Sequence, residues 1–195
     1  MSSRKIAASV GLLFFTQMIT AMIGSSIIEK FVSGDAGKSS LPIAVFLMLC
    51  SGIAVVGIGL LMYQVLKTYN KKLAFWYPFF RILELSVTIV SSVYLLTKLK
   101  VLPNHMLYLY IPTGIGGLIL NYLLFTTKIV PRPIAILGLV GYALLLIGVP
   151  LDLMGVLDMS KGLGLLLLVP GGLFEVVFLP IWLLVKGFRP VRQAG

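Results

Sequence analysis

Six long apolar runs dominate the sequence and constrain the fold more than any other feature. Each run is longer than the about 20 residues that an α-helix needs to cross a hydrocarbon core about 30 Å thick. Membrane-spanning strands are about half as long and alternate in polarity, so runs this uniformly apolar predict helices. The runs are Ile6–Ile28, Leu41–Leu66, Leu73–Leu96, Leu107–Thr127, Pro133–Leu157 and Leu163–Val185.

These runs fill almost all of the 195 residues, which leaves no room for a soluble catalytic domain. A content of 59% hydrophobic and 11% charged residues also excludes an ordinary soluble protein. We therefore predict an all-α, polytopic membrane protein: a six-transmembrane-helix bundle that forms a single integral membrane domain over residues 1–195. Its first partner is the lipid bilayer, and any chemistry takes place within the membrane or at its faces.

The distribution of basic residues predicts the orientation of the bundle. The loops and termini on one side carry ten Lys and Arg residues and no acidic residue, whereas the other side carries five Lys residues and four acidic residues. This bias predicts cytoplasmic termini and a multi-pass protein of the cell membrane. It also accounts for the net charge of +10, so we expect no nucleic-acid partner. The ten are Arg4, Lys5, Lys67, Lys71, Lys72, Lys128, Arg132, Lys186, Arg189 and Arg192.

Three charged residues lie inside the apolar runs, where charge is costly. Arg81 and Glu84 interrupt the third run, and Glu175 interrupts the sixth. A charge at the centre of a transmembrane helix costs about 2.5–3.5 kcal/mol on insertion scales. Such residues usually face a bundle interior or a water-filled cavity and mark a functional site. They are the first candidates for function in this chain.

Helical spacing groups further polar residues with these three. Tyr77, Arg81, Glu84, Thr88 and Ser91 recur at steps of four, three, four and three, which places them on one face of a helix. Counting from the ends of the runs places Gln17, Glu84 and Glu175 near the midplane of the membrane, with Asn121 about one turn to the cytoplasmic side. Buried polar groups need partners, so we expect them to converge. The predicted substrate-binding set is Arg81, Glu84, Glu175, Asn121, Gln17 and Tyr77.

One arginine cannot neutralise two carboxylates at the same depth. We therefore expect one of the two glutamates to be neutral near pH 7. Glu175 is the better candidate, because Glu84 has Arg81 one helical turn away on its own helix. If the protein is an enzyme, Glu84 and Glu175 are its candidate catalytic acid and base.

Two further patterns concern backbone geometry. Pro170, Gly171 and Gly172 precede Glu175 and Pro180 follows it, which predicts an interrupted sixth helix. Transporters often build midplane sites from such helices, although a simple packing kink would leave the same pattern. In the fifth run, a stripe of small residues predicts close packing, either within the bundle or between copies in a homo-oligomer. The stripe consists of Gly141, Gly148 and Gly155.

The remaining reactive side chains argue against metal and nucleophile chemistry. His105 is the only histidine and lies in a predicted external loop, so a histidine-based metal site or a Ser-His triad has no partners. Cys50 is the only cysteine, and it is expected to be a small apolar packing residue in the second helix. We expect no metal and no cofactor.

Three segments resemble a bacterial multi-pass membrane family that is catalogued as a domain of unknown function, number four-three-eight-six. They are Phe80-Arg81-Ile82-Leu83-Glu84, the run from Pro131 to Gly138, and Phe174-Glu175 with the segment from Trp182 to Phe188. The resemblance covers essentially the whole chain. It implies a bacterial cytoplasmic-membrane protein and places Arg81, Glu84 and Glu175 among the signature positions, but it implies no activity.

Three classes of function fit these features. The first is a small carrier or proton-coupled permease for a small molecule or lipid, which would use the Arg–Glu pair and a titratable glutamate. The second is an intramembrane acid–base enzyme that acts on a lipid or isoprenoid. The third is a non-catalytic accessory or binding subunit in which the polar cluster only fixes helix packing. A buried ion pair alone does not choose among them.

Overall fold

The computed structural model describes residues 2–189, and Arg192 of the predicted cytoplasmic face lies outside this range. Within it the chain is helical without any strand, and six helical segments are long and apolar enough to cross a membrane. The predicted all-α, six-span fold is confirmed, and the chain is a multi-pass membrane protein. The first five spans are α1 (Ser3–Ser33), α2 (Leu41–Leu66), α3 (Lys71–Lys98), α4 (His105–Thr127) and α5 (Arg132–Leu153).

The sixth span, over residues Gly162–Val185, is a chain of short helical pieces rather than one helix. Proline lacks a backbone N–H and clashes with the preceding turn, so Pro170 and Pro180 disturb the regular hydrogen-bond ladder. A π-helical turn stands between the two prolines, and such turns are frequent at functional sites. The pieces are α6 (Gly162–Leu166), α7 (Val169–Leu173), the π-helical turn (Phe174–Phe178) and α8 (Leu179–Val185).

The fifth span is shorter than predicted, because α5 ends at Leu153 rather than at Leu157. Gly155 adopts a left-handed backbone with φ of +70°, which turns the chain away from the helix axis. The Asp152 carboxylate then accepts a hydrogen bond of 2.6 Å from the backbone N–H of Met159 and secures the turn. Apolar character alone could not locate this end, since the residues beyond it are also apolar.

The six spans form a ring in which each one packs against the next along the chain. The sixth span contacts both α5 and α1, and this closes the ring. The Arg4 guanidinium strengthens the closure, because it donates to the backbone oxygens of Leu184 (2.7 Å) and Val185 (3.2 Å) at the end of α8. In this order of neighbours, α3 and the sixth span stand on opposite sides of the ring.

Large apolar side chains cover the outside of the ring, as expected for a surface that meets lipid. The fully buried interior is apolar as well, apart from the polar face of α3 and its partners. Exposed examples are Leu12, Ile53, Val90, Ile147 and Val185, and buried examples are Phe14, Ile58, Leu120, Phe174 and Leu179.

The glycine stripe of α5 makes its contacts within the chain. A Cβ on Gly141 would collide with the backbone of Gly171 in α7, and a Cβ on Gly148 would lie 2.8 Å from Met159. Gly155 lies beyond the end of α5, in the turn. At Gly141 and Gly148 the stripe therefore serves packing inside the bundle, and association of copies through this face stays a prediction.

Candidate functional site

The site is built on the buried face of α3. The Asn70 side chain caps this helix by accepting a hydrogen bond of 3.0 Å from the N–H of Leu73. From there Tyr77, Arg81 and Glu84 follow one another along the face that the structure buries, as their spacing predicted. Gly59 of α2 allows α3 to approach, because a Cβ there would lie 3.2 Å from Arg81 Cγ. The aliphatic part of the Arg81 side chain thus packs against the backbone of α2 at Gly59, and its guanidinium points into the ring of helices.

Arg81 joins the two acidic residues of the bundle interior. Its Nη1 lies 2.6 Å from Glu84 Oε2, and its Nη2 lies 3.3 Å from Glu175 Oε1. The side chains of Arg81 and Glu84 are 3% and 11% exposed, whereas that of Glu175 is 20% exposed. The structure therefore brings together the three charged residues that the sequence singled out. The Arg81–Glu175 pair spans the ring from α3 to the opposite side, with a longer contact and a more exposed acid.

Tyr142 on α5 is a fourth member of the site, and the sequence reasoning missed it. Its hydroxyl donates a hydrogen bond to Glu175 Oε1, the same oxygen that faces Arg81. Its ring lies over Gly117 of α4, where a Cβ would overlap the ring, and meets Phe174 edge-on at 6.0 Å. A signal for Tyr142 was present: it is the only aromatic residue of α5, and it stands mid-helix rather than at the interface where membrane tyrosines concentrate.

The Tyr77 ring packs against the Arg81 guanidinium. The Arg81 guanidinium carbon lies 5.1 Å from the centre of the Tyr77 ring, a favourable cation–π distance. Two polar atoms of this pair are buried without a hydrogen-bond partner among residues 2–189, namely the Tyr77 hydroxyl oxygen and Arg81 Nε. Buried polar groups are nearly always satisfied, so these two atoms are exceptions within the site.

Asn121 and Gln17 are not direct partners of the charged groups. Asn121 is fully buried on α4, where its amide nitrogen donates to Gly117 O at 2.9 Å and its side chain packs on Gly138. Its Oδ1 has no partner in the described part of the chain. Gln17 is half-buried on α1, and within residues 2–189 no hydrogen bond links its side chain to Arg81. Tyr77 and the three charged residues thus lie together, whereas within residues 2–189 neither Asn121 nor Gln17 is hydrogen-bonded to a charged group of the site.

The site therefore contains one cation and two carboxyl groups, and Thr113 of α4 lies beside Glu84. If both acids are ionised, the charges of Arg81, Glu84 and Glu175 sum to −1. Binding of a proton or another singly charged cation would therefore make the site neutral. Within the described residues, no three His, Cys, Asp or Glu side chains come together as metal ligands.

Two cavities lie near the site, on the α3–α4 side of the bundle. The first, here called the outer cavity, has a volume of about 50 Å³ and reaches Thr88, one turn along α3 from Glu84. The second, the α3–α4 groove, has a volume of about 410 Å³ and an almost wholly apolar lining that faces lipid. Neither cavity is lined by Arg81, Glu84 or Glu175.

Comparison with known proteins identifies a family without assigning an activity. The profile of a family described as "Domain of unknown function (DUF4386)" matches residues 9–187, which confirms the resemblance seen in the sequence. No curated protein and no solved structure matches the chain.

Proposed function

Because the chain belongs to the DUF4386 family, which carries no activity over to it, we propose a function from the site itself: a proton-coupled carrier of a small molecule or lipid in the bacterial cytoplasmic membrane. The observation that carries the proposal is the ion pair between Arg81 of α3 and Glu175 of the interrupted sixth span. It links opposite sides of the ring through a single acid.

The two acids differ in a way that suits them to different roles. Glu84 lies on the same helix as Arg81, at 2.6 Å, and is nearly as buried, so it is a permanent counter-ion. Glu175 is more exposed than Glu84 and lies farther from Arg81. It is therefore the acid that a proton can reach and neutralise. Its protonation would remove one attraction to Arg81 while the Arg81–Glu84 pair persists. Glu175 is accordingly the proposed coupling residue.

The sixth span provides an element that can respond. Its α6, α7 and π-helical pieces are each five residues long and are separated from one another by turns or changes of helix type. Two polar contacts of Glu175, with Arg81 and with Tyr142, tie this segment to α3 and α5. Releasing the Arg81 contact would leave it held by packing and by Tyr142. Discontinuous helices that move about a midplane site are the usual means of alternating access.

The enzyme alternative receives less support. An acid–base enzyme needs space for a substrate next to its carboxyl groups, and neither described cavity is lined by Glu84 or Glu175. A carrier needs that space only in its open states. The apolar α3–α4 groove favours a cargo that enters from the lipid over one that enters from water.

The test uses the proton alone as the probe, since a carrier binds its coupling proton before the cargo is known. Purified protein in liposomes on a solid-supported membrane is given a rapid acid step, and proton binding inside the membrane appears as a transient current. The wild type should give the current and Glu175→Gln should lose it. Glu29→Gln, which neutralises an exposed acid at the end of α1, is the matched control and should retain it.

Two results would contradict the proposal. Absence of a current in folded wild-type protein would leave the accessory-subunit alternative, in which the cluster only fixes packing. A current that persists in Glu175→Gln would exclude Glu175 as the coupling residue.

A further inference from the structure

The outer cavity lies in the half of the bundle next to the α1–α2 loop with Ser39, on the side predicted to face away from the cytoplasm. Four spans contribute to it, with Ile28 from α1 and Met48 from α2 among its lining residues. Its polar side chains come from the end of α3 and the start of α4. They are Thr88, Ser91, Ser92 and His105.

Ser91 is the most informative of these residues. Serine and threonine hydroxyls inside helices usually donate to a carbonyl three or four residues earlier, as Ser86 does to Ile82 O at 2.9 Å. The Ser91 hydroxyl is buried yet has no hydrogen-bond partner among residues 2–189. Ser91 lines both the outer cavity and the α3–α4 groove, and its hydroxyl is a buried polar group that still needs a partner.

The cavity is large enough for water and has polar side chains in its lining. A water molecule needs about 10–15 Å³ of such volume and two to four polar partners, and the outer cavity measures about 50 Å³. Besides Ser91 and Ser92, His105 supplies a partner. Its Nδ1 lies 3.1 Å from Leu102 O, a carbonyl that can only accept, so Nδ1 carries the proton and Nε2 is left as an acceptor.

Two threonines connect the lining of the cavity with Glu84. Thr88 stands one helical turn from Glu84, about 5–6 Å along α3, and donates to Glu84 O at 3.0 Å. On α4, Thr113 lies beside the Glu84 carboxylate and donates to the oxygen of Leu109, which lines the cavity, at 2.8 Å. Both hydroxyls could pass a proton by rotating.

From this arrangement we infer that the outer cavity is a water-filled vestibule through which protons approach the Glu84–Arg81–Glu175 site, on their way to Glu175, from the face of the Ser39 loop, with Thr88 and Thr113 as its inner gate. The inference rests on the proposed function for the identity of the ion, the proton, and adds the side of the membrane from which it arrives. The hydration of the vestibule itself depends only on the volume of the cavity and on the few polar side chains in its mainly apolar lining.

The experiment measures whether water reaches the vestibule in the folded protein. In a Cys50→Ser background, single cysteines replace Ser92 in the vestibule and Val93 beside it, which is 56% exposed on the lipid side of the same helix. Sealed vesicles receive Ag⁺, a small ion that travels with water and replaces the thiol proton. After denaturation, the thiols that remain free are counted by the gel shift with a polyethylene-glycol maleimide.

Ser92→Cys should react with Ag⁺ to the same extent as a reference cysteine at Ser39, and from the same side, whereas Val93→Cys should not react. Ser91→Cys is a second vestibule variant with the same expectation, in case Ser92→Cys fails to fold. Thr88→Cys, in the gate, should react more slowly than Ser92→Cys. A vestibule cysteine as unreactive as Val93→Cys, or reactive only from the side opposite Ser39, would overturn the inference.

The same samples separate this inference from the proposed function. Ag⁺ bound to Ser92→Cys should also abolish the current that follows an acid step. If Ser92→Cys reacts but the unmodified protein gives no current, the vestibule stands and the carrier proposal fails. If the current is present but Ser92→Cys does not react, the carrier proposal stands and the vestibule is wrong.

Discussion

Replacing Arg81 by methionine should destabilise the protein far more than any exposed charge does. Methionine keeps the apolar stem that packs against Gly59 but removes the guanidinium. Glu84, with a side chain only 11% exposed, is then left without its cation at 2.6 Å. Removing one partner of a buried ion pair costs about 3–5 kcal/mol. We expect a loss in the free energy of unfolding within this range.

The structure also predicts how the loss divides between the two acids. The Arg81–Glu175 contact is longer, at 3.3 Å, and Glu175 is 20% exposed. Glu175→Gln should therefore cost only about 1 kcal/mol, near the upper end for partly solvated pairs. Adding Glu84→Gln to Arg81→Met removes the unpaired acid, so the double variant should recover about 1–3 kcal/mol relative to the sum of the single variants.

The assay is reversible unfolding with dodecyl sulfate in mixed micelles, followed by the fluorescence of Trp76 and Trp182. Lys98→Met is the matched control, because it removes an exposed cation from the end of the same helix. Its effect should stay within about 0.5 kcal/mol. If Arg81→Met costs no more than Lys98→Met, or if the double variant shows no recovery, the ion pair is not formed as described.

Three further outcomes follow from individual side chains, and a fourth follows from the predicted orientation. Gly141→Ala should lower the free energy of unfolding by about 1–3 kcal/mol, because its Cβ meets the backbone of Gly171. Gly172→Ala has open space around its Cβ and should be nearly neutral. The same unfolding assay compares the two variants. Tyr142→Phe should cost about 1.5–3 kcal/mol by removing a hydrogen bond to a charged group. Tyr77→Phe should change stability by less than about 0.5 kcal/mol unless water or a ligand binds its hydroxyl, and a larger loss would identify such a partner. A cysteine at Ser39 should react with an impermeant maleimide from outside the cell; labelling from the cytoplasmic side alone would refute the predicted orientation.

The fold could be predicted almost completely because its determinants are local. A membrane-length apolar run forms a helix whatever its neighbours are, since no other partner exists for its backbone groups in lipid. Two helix ends are misplaced by several residues: α1 continues to Ser33 rather than ending at Ile28, and α5 ends at Leu153 rather than at Leu157. The end of α5 depends on a side chain that folds back, because the Asp152 carboxylate accepts a hydrogen bond from the N–H of Met159. Such a contact leaves no trace in hydropathy.

The site could be predicted only as far as its members were unusual in their surroundings. Arg81, Glu84 and Glu175 stand out because charge is rare in a membrane span, and depth along the helix correctly placed them together. Gln17 has a similar depth but is half-buried on α1, away from these contacts. Depth gives the position of a side chain along the membrane normal. The rotation of its helix about the helix axis decides whether the side chain points into the bundle or away from it. For Gln17 that rotation is set by packing, which single-sequence patterns do not specify.

Tyr142 shows how the small residues determine the chemistry of the site. The Tyr142 ring packs on α4 at Gly117, where a larger residue would overlap it. In the same way, α7 packs closely on α5 at the contact between Gly141 and Gly171. These two close approaches bring the π-helical turn near enough for Tyr142 to reach Glu175. The glycines and the acid are therefore parts of one arrangement: close backbone packing places a hydroxyl donor on the acid that also faces Arg81. A movement of α7 together with the π-helical turn that separates Glu175 from Arg81 would also change the Gly141–Gly171 contact, and such a movement would couple the packing of α7 on α5 to the charge state of Glu175.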